Sequence, residues 1–165
     1  MRLQAAALVM SAILFAACGG SDTAADNTAS TPAASPAATP STGAEGSVAA
    51  APITGTTHEV RMLGDDQGYR YDPAELTVAP GDGVRFIMVS GPPHNVSFEE
   101  NAIPAGSAAQ LDANMSDKLS FLSSGMYMNV GDEVTVSFAN VPSGEYNFIC
   151  TPHLAMGMRG KVTVQ

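Results

Sequence analysis

The segment Cys150-Thr151-Pro152-His153-Leu154-Ala155-Met156-Gly157-Met158 sets a thiol, an imidazole and two thioethers on one short stretch of chain. A second imidazole, His94, stands in Pro92-Pro93-His94-Asn95-Val96. Thiolate and thioether are soft donors that suit Cu(I), and imidazole suits both oxidation states. A Cys and two His with a weak axial thioether form the trigonal donor set of electron-transfer copper. A geometry between the preferences of the two oxidation states needs little rearrangement when an electron arrives. On chemistry alone, Met156 and Met158 compete for the axial place. The third imidazole, His58, has no partner in sequence and reads as a solvated strand residue. A dinuclear copper site would want a second Cys near Cys150, and none is there. Gly-rich phosphate loops, paired catalytic carboxylates and Ser/His/Asp orders are not found, so no substrate turnover is expected and the chain does not read as an enzyme.

These donors need a scaffold that brings distant loops together. Glu133-Val-Thr-Val-Ser-Phe-Ala139 alternates, with Val134, Val136 and Phe138 on one face. Tyr146, Phe148 and Cys150 alternate likewise, as do Val162 and Val164. Short period-2 runs separated by Gly, Pro and Asn turns imply an all-β, antiparallel sandwich or barrel. Seven strands are expected, over 57–63, 75–79, 83–89, 94–98, 133–139, 145–150 and 159–165, with room for an eighth. The stretch from Asn101 to Gly131 lacks a clean period and is expected to hold loops with a short helix over 117–122. Met126 and Met128 within it read as flexible filler beneath a loop.

Composition divides the chain. Seventeen of its 26 Ala fall in the first 51 residues, where Phe15 is the only aromatic. Met1 to Ala17 carries one charge, Arg2, and then an apolar stretch too short to span a bilayer. It is followed by Leu14-Phe15-Ala16-Ala17-Cys18-Gly19-Gly20, which resembles a bacterial lipoprotein signal, with Cys18 the lipidated N-terminus. From Gly19 to Gly55 the chain is rich in Ala, Thr, Ser, Gly and Pro and has no aromatic, Lys or Arg. Such a segment has little to bury and is expected to be a disordered tether. The expected organisation is therefore 1–17 signal, 18–55 lipidated Cys and linker, and 56–165 a single copper-binding domain. Seven basic against 16 acidic residues give net charge −9, which excludes a nucleic-acid partner. No run of 18 apolar residues exists, which excludes a polytopic membrane protein. Two Cys in unlike regions make neither a disulfide framework nor a Cys-rich zinc cluster.

The C-terminal domain resembles plastocyanin and the wider blue-copper, or cupredoxin, family. The resemblance is carried by Pro73-Ala-Glu-Leu-Thr-Val-Ala-Pro-Gly81, Gly91-Pro-Pro-His-Asn-Val-Ser-Phe98, Ile103-Pro-Ala-Gly106 and Gly144-Glu-Tyr-Asn-Phe-Ile-Cys-Thr-Pro-His153, and continues through Gly157-Met158 and Gly160-Lys-Val-Thr-Val164. It implies an all-β Greek-key sandwich and one copper ion held by His94, Cys150 and His153, with Met158 as the axial ligand and Met156 on the rim. It implies that Asn95 ties the two ligand loops together. It further implies that electrons leave through His153, inside a collar of Gly91, Pro93, Leu154, Ala155 and Met156. The function implied is a type 1 copper electron shuttle between redox proteins, monomeric, extracytoplasmic and held to a membrane by lipid on Cys18. A copper storage or delivery protein and a small redox sensor are the alternatives. Two departures stand out. The family's outward Tyr before the Cys is Ile149 here, and the acidic docking patch is reduced to Glu99, Glu100 and Asp117, interrupted by Lys118.

Overall fold

A computed structural model describes residues 48–165. The signal, Cys18 and the linker as far as residue 47 lie outside the described residues. The elements run in order β1 (Thr57–Asp65), β2 (Gly68–Asp72), β3 (Glu75–Val78), β4 (Gly83–Met88), β5 (Ser97–Phe98), α1 (Ala108–Ala113), β6 (Glu133–Ser137), β7 (Gly144–Ile149) and β8 (Arg159–Val164). One sheet has the order β2-β1-β4-β6 and the other β3-β8-β7-β5, making an all-β Greek-key sandwich. The sheets are mixed rather than purely antiparallel. β1 lies parallel to β4, and β3 parallel to β8, because chain crossing between the sheets returns to a neighbour in the same direction.

The alternation in sequence becomes burial. Val134 and Val136 point inward while Thr135 is half-buried; Tyr146 and Phe148 point inward while Asn147 and Ile149 do not. Phe148 is the centre of the core. Its ring meets Tyr71, Phe86 and Phe98 edge-on, at centroid distances of 4.8, 5.1 and 5.7 Å, the T-shaped arrangement that ring quadrupoles favour. Two residues on, the same inward phase delivers Cys150, fully buried at the end of the core.

Three expectations need correction. The strand β2 was not expected; its five residues, Gly-Tyr-Arg-Tyr-Asp, are too short and too polar to show a period, yet they pair with β1 as an edge. The short helix is α1, at Ala108–Ala113, not at 117–122. There, Leu122 takes a left-handed conformation that no α-helix can contain, and its N–H is held by the Asp112 carboxylate at 2.8 Å. The linker does not run to Gly55. Ala51 is buried and donates its N–H to Asn114 Oδ1 at 2.8 Å, while Thr54 and Gly55 both donate to the Gly81 carbonyl. An Ala with a buried slot and a paired N–H is held as firmly as a strand residue, so the packed unit starts before residue 56.

Asp82 and Asn114 close the end of the sandwich where β4 begins. The Asp82 carboxylate accepts from Thr56 N–H at 2.8 Å, Ala79 N–H at 3.0 Å and the His58 ring at 2.8 Å. These donors hold its pKa below the usual carboxylate value, the His58 contact contributing most. His58 is thus paired in structure, though not through any sequence neighbour.

Candidate metal centre

The centre lies at the other end of β4. That strand stops at Met88, and the chain turns through Ser90 and Gly91 before reaching His94. Gly91 has φ 72°, and a Cβ on it would lie 2.5 Å from Gly64 Cα, so two backbones touch where only glycine fits. That approach and the hydrogen bond from Gly64 N–H to Ser90 Oγ fix the Ser90 carbonyl. His94 Nε2 lies 2.8 Å from this carbonyl, which can only accept, so Nε2 carries the proton and Nδ1 keeps its lone pair. His94 also exchanges two backbone hydrogen bonds with Tyr127.

The second loop starts at Cys150 and ends at Met158. His153 N–H donates to the Cys150 carbonyl, and a 3-10 turn, Leu154–Met156, runs to Gly157 at φ 84°. Cys150 N–H donates to the Met158 carbonyl at 3.1 Å, and Met158 N–H to the His153 carbonyl at 3.2 Å, so the three residues form one closed loop. Met158 is fully buried and Met156 is 60% exposed.

Between the loops, Cys150 Sγ stands 3.6 Å from His94 Nδ1 and 3.5 Å from His153 Nδ1. The three donor atoms lie within 4.8 Å of one another, and all three residues are buried. Burial lowers the pKa of both imidazoles, with the neighbouring His94 adding to the effect at His153, and raises that of the Cys150 thiol. Two imidazoles with lowered pKa converging on a buried sulfur form a donor set suited to a cation. One soft and two borderline donors in a triangle match copper's preference, so this pocket fits that ion.

Asn95 joins the loops. Its Oδ1 accepts from Thr151 N–H at 2.7 Å, and its Nδ2 donates to Thr151 Oγ1 at 3.2 Å and Ser123 Oγ at 3.3 Å. Tyr71, buried beneath, donates its hydroxyl to the Asn95 carbonyl at 2.6 Å. Around His153, Ala155 and Met156 are exposed, while Gly91, Pro93 and Leu154 are half-buried. Ile149 is half-buried and paired with Ser97.

Two features went unforeseen. Tyr69, on the unexpected strand β2, stacks on His153 with ring centroids 3.6 Å apart and planes 17° apart. No short-range signal marks it, because the contact joins residues 84 positions apart, one on β2 and one in the loop between β7 and β8. Met126 and Met128 do not fill space under a loop. They are 43% and 57% exposed, on either side of the buried Tyr127 that pairs with His94.

The comparisons agree with this geometry. The family model of copper-binding proteins, plastocyanin/azurin family, matches residues 58–165. A plastocyanin of Nostoc punctiforme is 37% identical over 110 residues, which is 66% of this chain and 74% of the relative. A plastocyanin of Rumex obtusifolius is 36% identical over 107 residues, 65% of this chain and 99% of the relative. Among solved structures, a mutant fern plastocyanin is 32% identical with a TM-score of 0.48, covering 66% of this chain and all of that one. A buried Cys/His/His triangle inside a Greek-key sandwich, and a family match spanning both ligand loops, lead to one conclusion: the chain belongs to the copper-binding plastocyanin/azurin family, and its cofactor is one copper ion.

Proposed function

We propose that the protein is a one-electron carrier in which His94, Cys150, His153 and Met158 would hold the copper ion. The observation that carries this reading is the buried triangle of Sγ and two Nδ1 atoms on two loops tied by Asn95. When bound, copper supplies a reversible one-electron couple in that triangle. The chain's part is to hold the donors still. Asn95 and the closed 150–158 loop fix the two ligand loops, and the Ser90 carbonyl fixes the His94 ring, before any metal arrives. Fixed donors favour electron exchange, whereas a storage or delivery protein needs donors that come apart.

Partners meet the protein at the His153 edge. The apolar rim of Gly91, Pro93, Leu154, Ala155 and Met156 supports close, dry contact there, and weak redox encounters need little area. The half-buried Ile149 offers no polar aromatic alternative on the flank. The partners are other redox proteins, and the carrier acts as a monomer that turns over no substrate. It works outside the cytoplasm, leashed by lipid on Cys18 through the polar segment that follows; the Leu14-Phe15-Ala16-Ala17-Cys18 signature supports this placement. More than one acyl chain is needed for stable attachment.

A redox titration of the copper-loaded chain in the presence of a Cu(I) chelator tests the reading. The expected result is one electron per protein, reversible over repeated cycles, with copper retained. Copper passing to the chelator on each reduction would point to delivery instead.

A further inference from the structure

The two imidazoles of the centre are held by different means. For His94, the ring nitrogen away from the centre is fixed by the Ser90 carbonyl, as metal-binding imidazoles usually are. His153 has no such partner among the described residues. Among the described residues, the only ring-nitrogen contact of His153 is Nδ1 facing Cys150 Sγ at 3.5 Å. The torsion that turns a His ring is broad and nearly two-fold, so an unheld ring can turn a carbon toward the metal in place of Nδ1.

Tyr69 occupies the place where such a restraint would act. Its ring lies flat on His153 at 3.6 Å and meets His94 edge-on at 6.1 Å. It reaches there because Tyr69 pairs with Gly64 across the β1–β2 hairpin, and a Cβ on Gly64 would sit 2.7 Å from Tyr69 Cε1. Only a glycine lets the ring lie down across β1 toward the other sheet. The hairpin turn is clasped by Arg70, which contacts the Asp65 carboxylate at 2.6 and 2.9 Å. Among the described residues the Tyr69 hydroxyl has no hydrogen-bond partner, so the ring face is the part that acts.

We propose that Tyr69 is a positioning residue for the copper centre, its ring face keeping the His153 imidazole turned so that Nδ1 points at Cys150. A stacked ring blocks out-of-plane swing and makes a flip sweep through occupied space. The inference rests on the ligand role proposed for His153, and the experiment separates the two.

The full chain, loaded with one Cu(I), is compared with Tyr69→Phe, Tyr69→Leu and His153→Ala. Release of Cu(I) to a chelator, the reduction potential and the NMR lines of the His153 ring protons are read. An aromatic stack contributes enough to make Cu(I) release about three- to tenfold faster in Tyr69→Leu. The same variant is expected to shift the potential and to move the His153 lines while those of His94 stay. Tyr69→Phe is expected to keep all three readouts, with release within about twofold of the parent. A Tyr69→Leu protein that matches the parent in release and potential overturns the proposal, as does a Tyr69→Phe protein as impaired as the Leu variant. A blue Cu(II) band that survives in His153→Ala overturns the ligand reading itself, and the proposal with it.

Discussion

The two ends of the sandwich use buried polar side chains in opposite ways. At the end where β4 begins, Asp82 and Asn114 bond chiefly to backbone groups, with the His58 ring also on Asp82. Asn114 alone accepts from Ala51 N–H and donates to the carbonyls of Ser137 and Ala139. At the copper end, Asn95 does similar work, but beside it one sulfur and two ring nitrogens face only each other, at 3.5 and 3.6 Å. A buried cluster of one soft and two borderline donors that face one another marks where a metal ion belongs. Polar groups at one end build the scaffold; those at the other form the donor set.

If that division is sound, damage at one end should not reach the other. The largest effect on stability is expected for Asn114→Ala, which strands three buried backbone groups and costs about 3 kcal/mol. Urea unfolding measures it, and the copper charge-transfer band should be unchanged in the folded variant. A displaced band would mean that the ends are coupled. Asn95→Ala should cost less, about 1–2 kcal/mol, because Thr151 is exposed and water can serve its N–H. Unlike the first variant, it should alter the band and speed copper loss, since the two ligand loops lose their tie.

A smaller effect follows from acid. The folded pKa of Asp82 is depressed, so its stabilisation is present above the unfolded carboxylate value and is lost as pH falls through the folded one. The parent's melting temperature should therefore fall steeply below about pH 4, while Asp82→Asn starts lower at neutral pH and falls less. Asp65 and Asp132 are depressed too, so the slope should flatten without vanishing. The smallest stability change is expected for Met156→Glu, within about 0.5 kcal/mol, because its side chain is mostly in water. Its consequence should appear in kinetics: slower electron exchange with the native partner, measured by stopped flow, at nearly unchanged colour. If Glu100 or Ile149 substitutions slow exchange and Met156→Glu does not, partners dock on the flank.

What could be read in advance followed from local pattern. Alternation over 133–139 and 145–150 marked two strands and the inward phase that carries Cys150, and the spacing of Cys150 and His153 with a distant His94 pointed to the buried group found in the structure. What could not be read depends on pairing across the fold. β2 exists because β1 offers it an edge, residues 117–122 end in a left-handed Leu122 bonded to Asp112, and residues 51–55 are tied to Asn114 and Gly81 from elsewhere in the chain. Tyr69 belongs to the same class. Its role comes from a glycine across a hairpin and a ring on the distant 150–158 loop.

The central claim, that the Cys150–His94–His153 triangle is the copper site, is tested most directly by titrating the metal-free chain with Cu(II) while recording visible spectra. The account predicts an intense thiolate-to-copper band that grows linearly and stops at one equivalent. In Cys150→Ser, whose far-ultraviolet circular dichroism should remain that of the folded sandwich, the band should be absent. A band that persists in Cys150→Ser, or a colourless parent that has taken up one Cu(II), would contradict it.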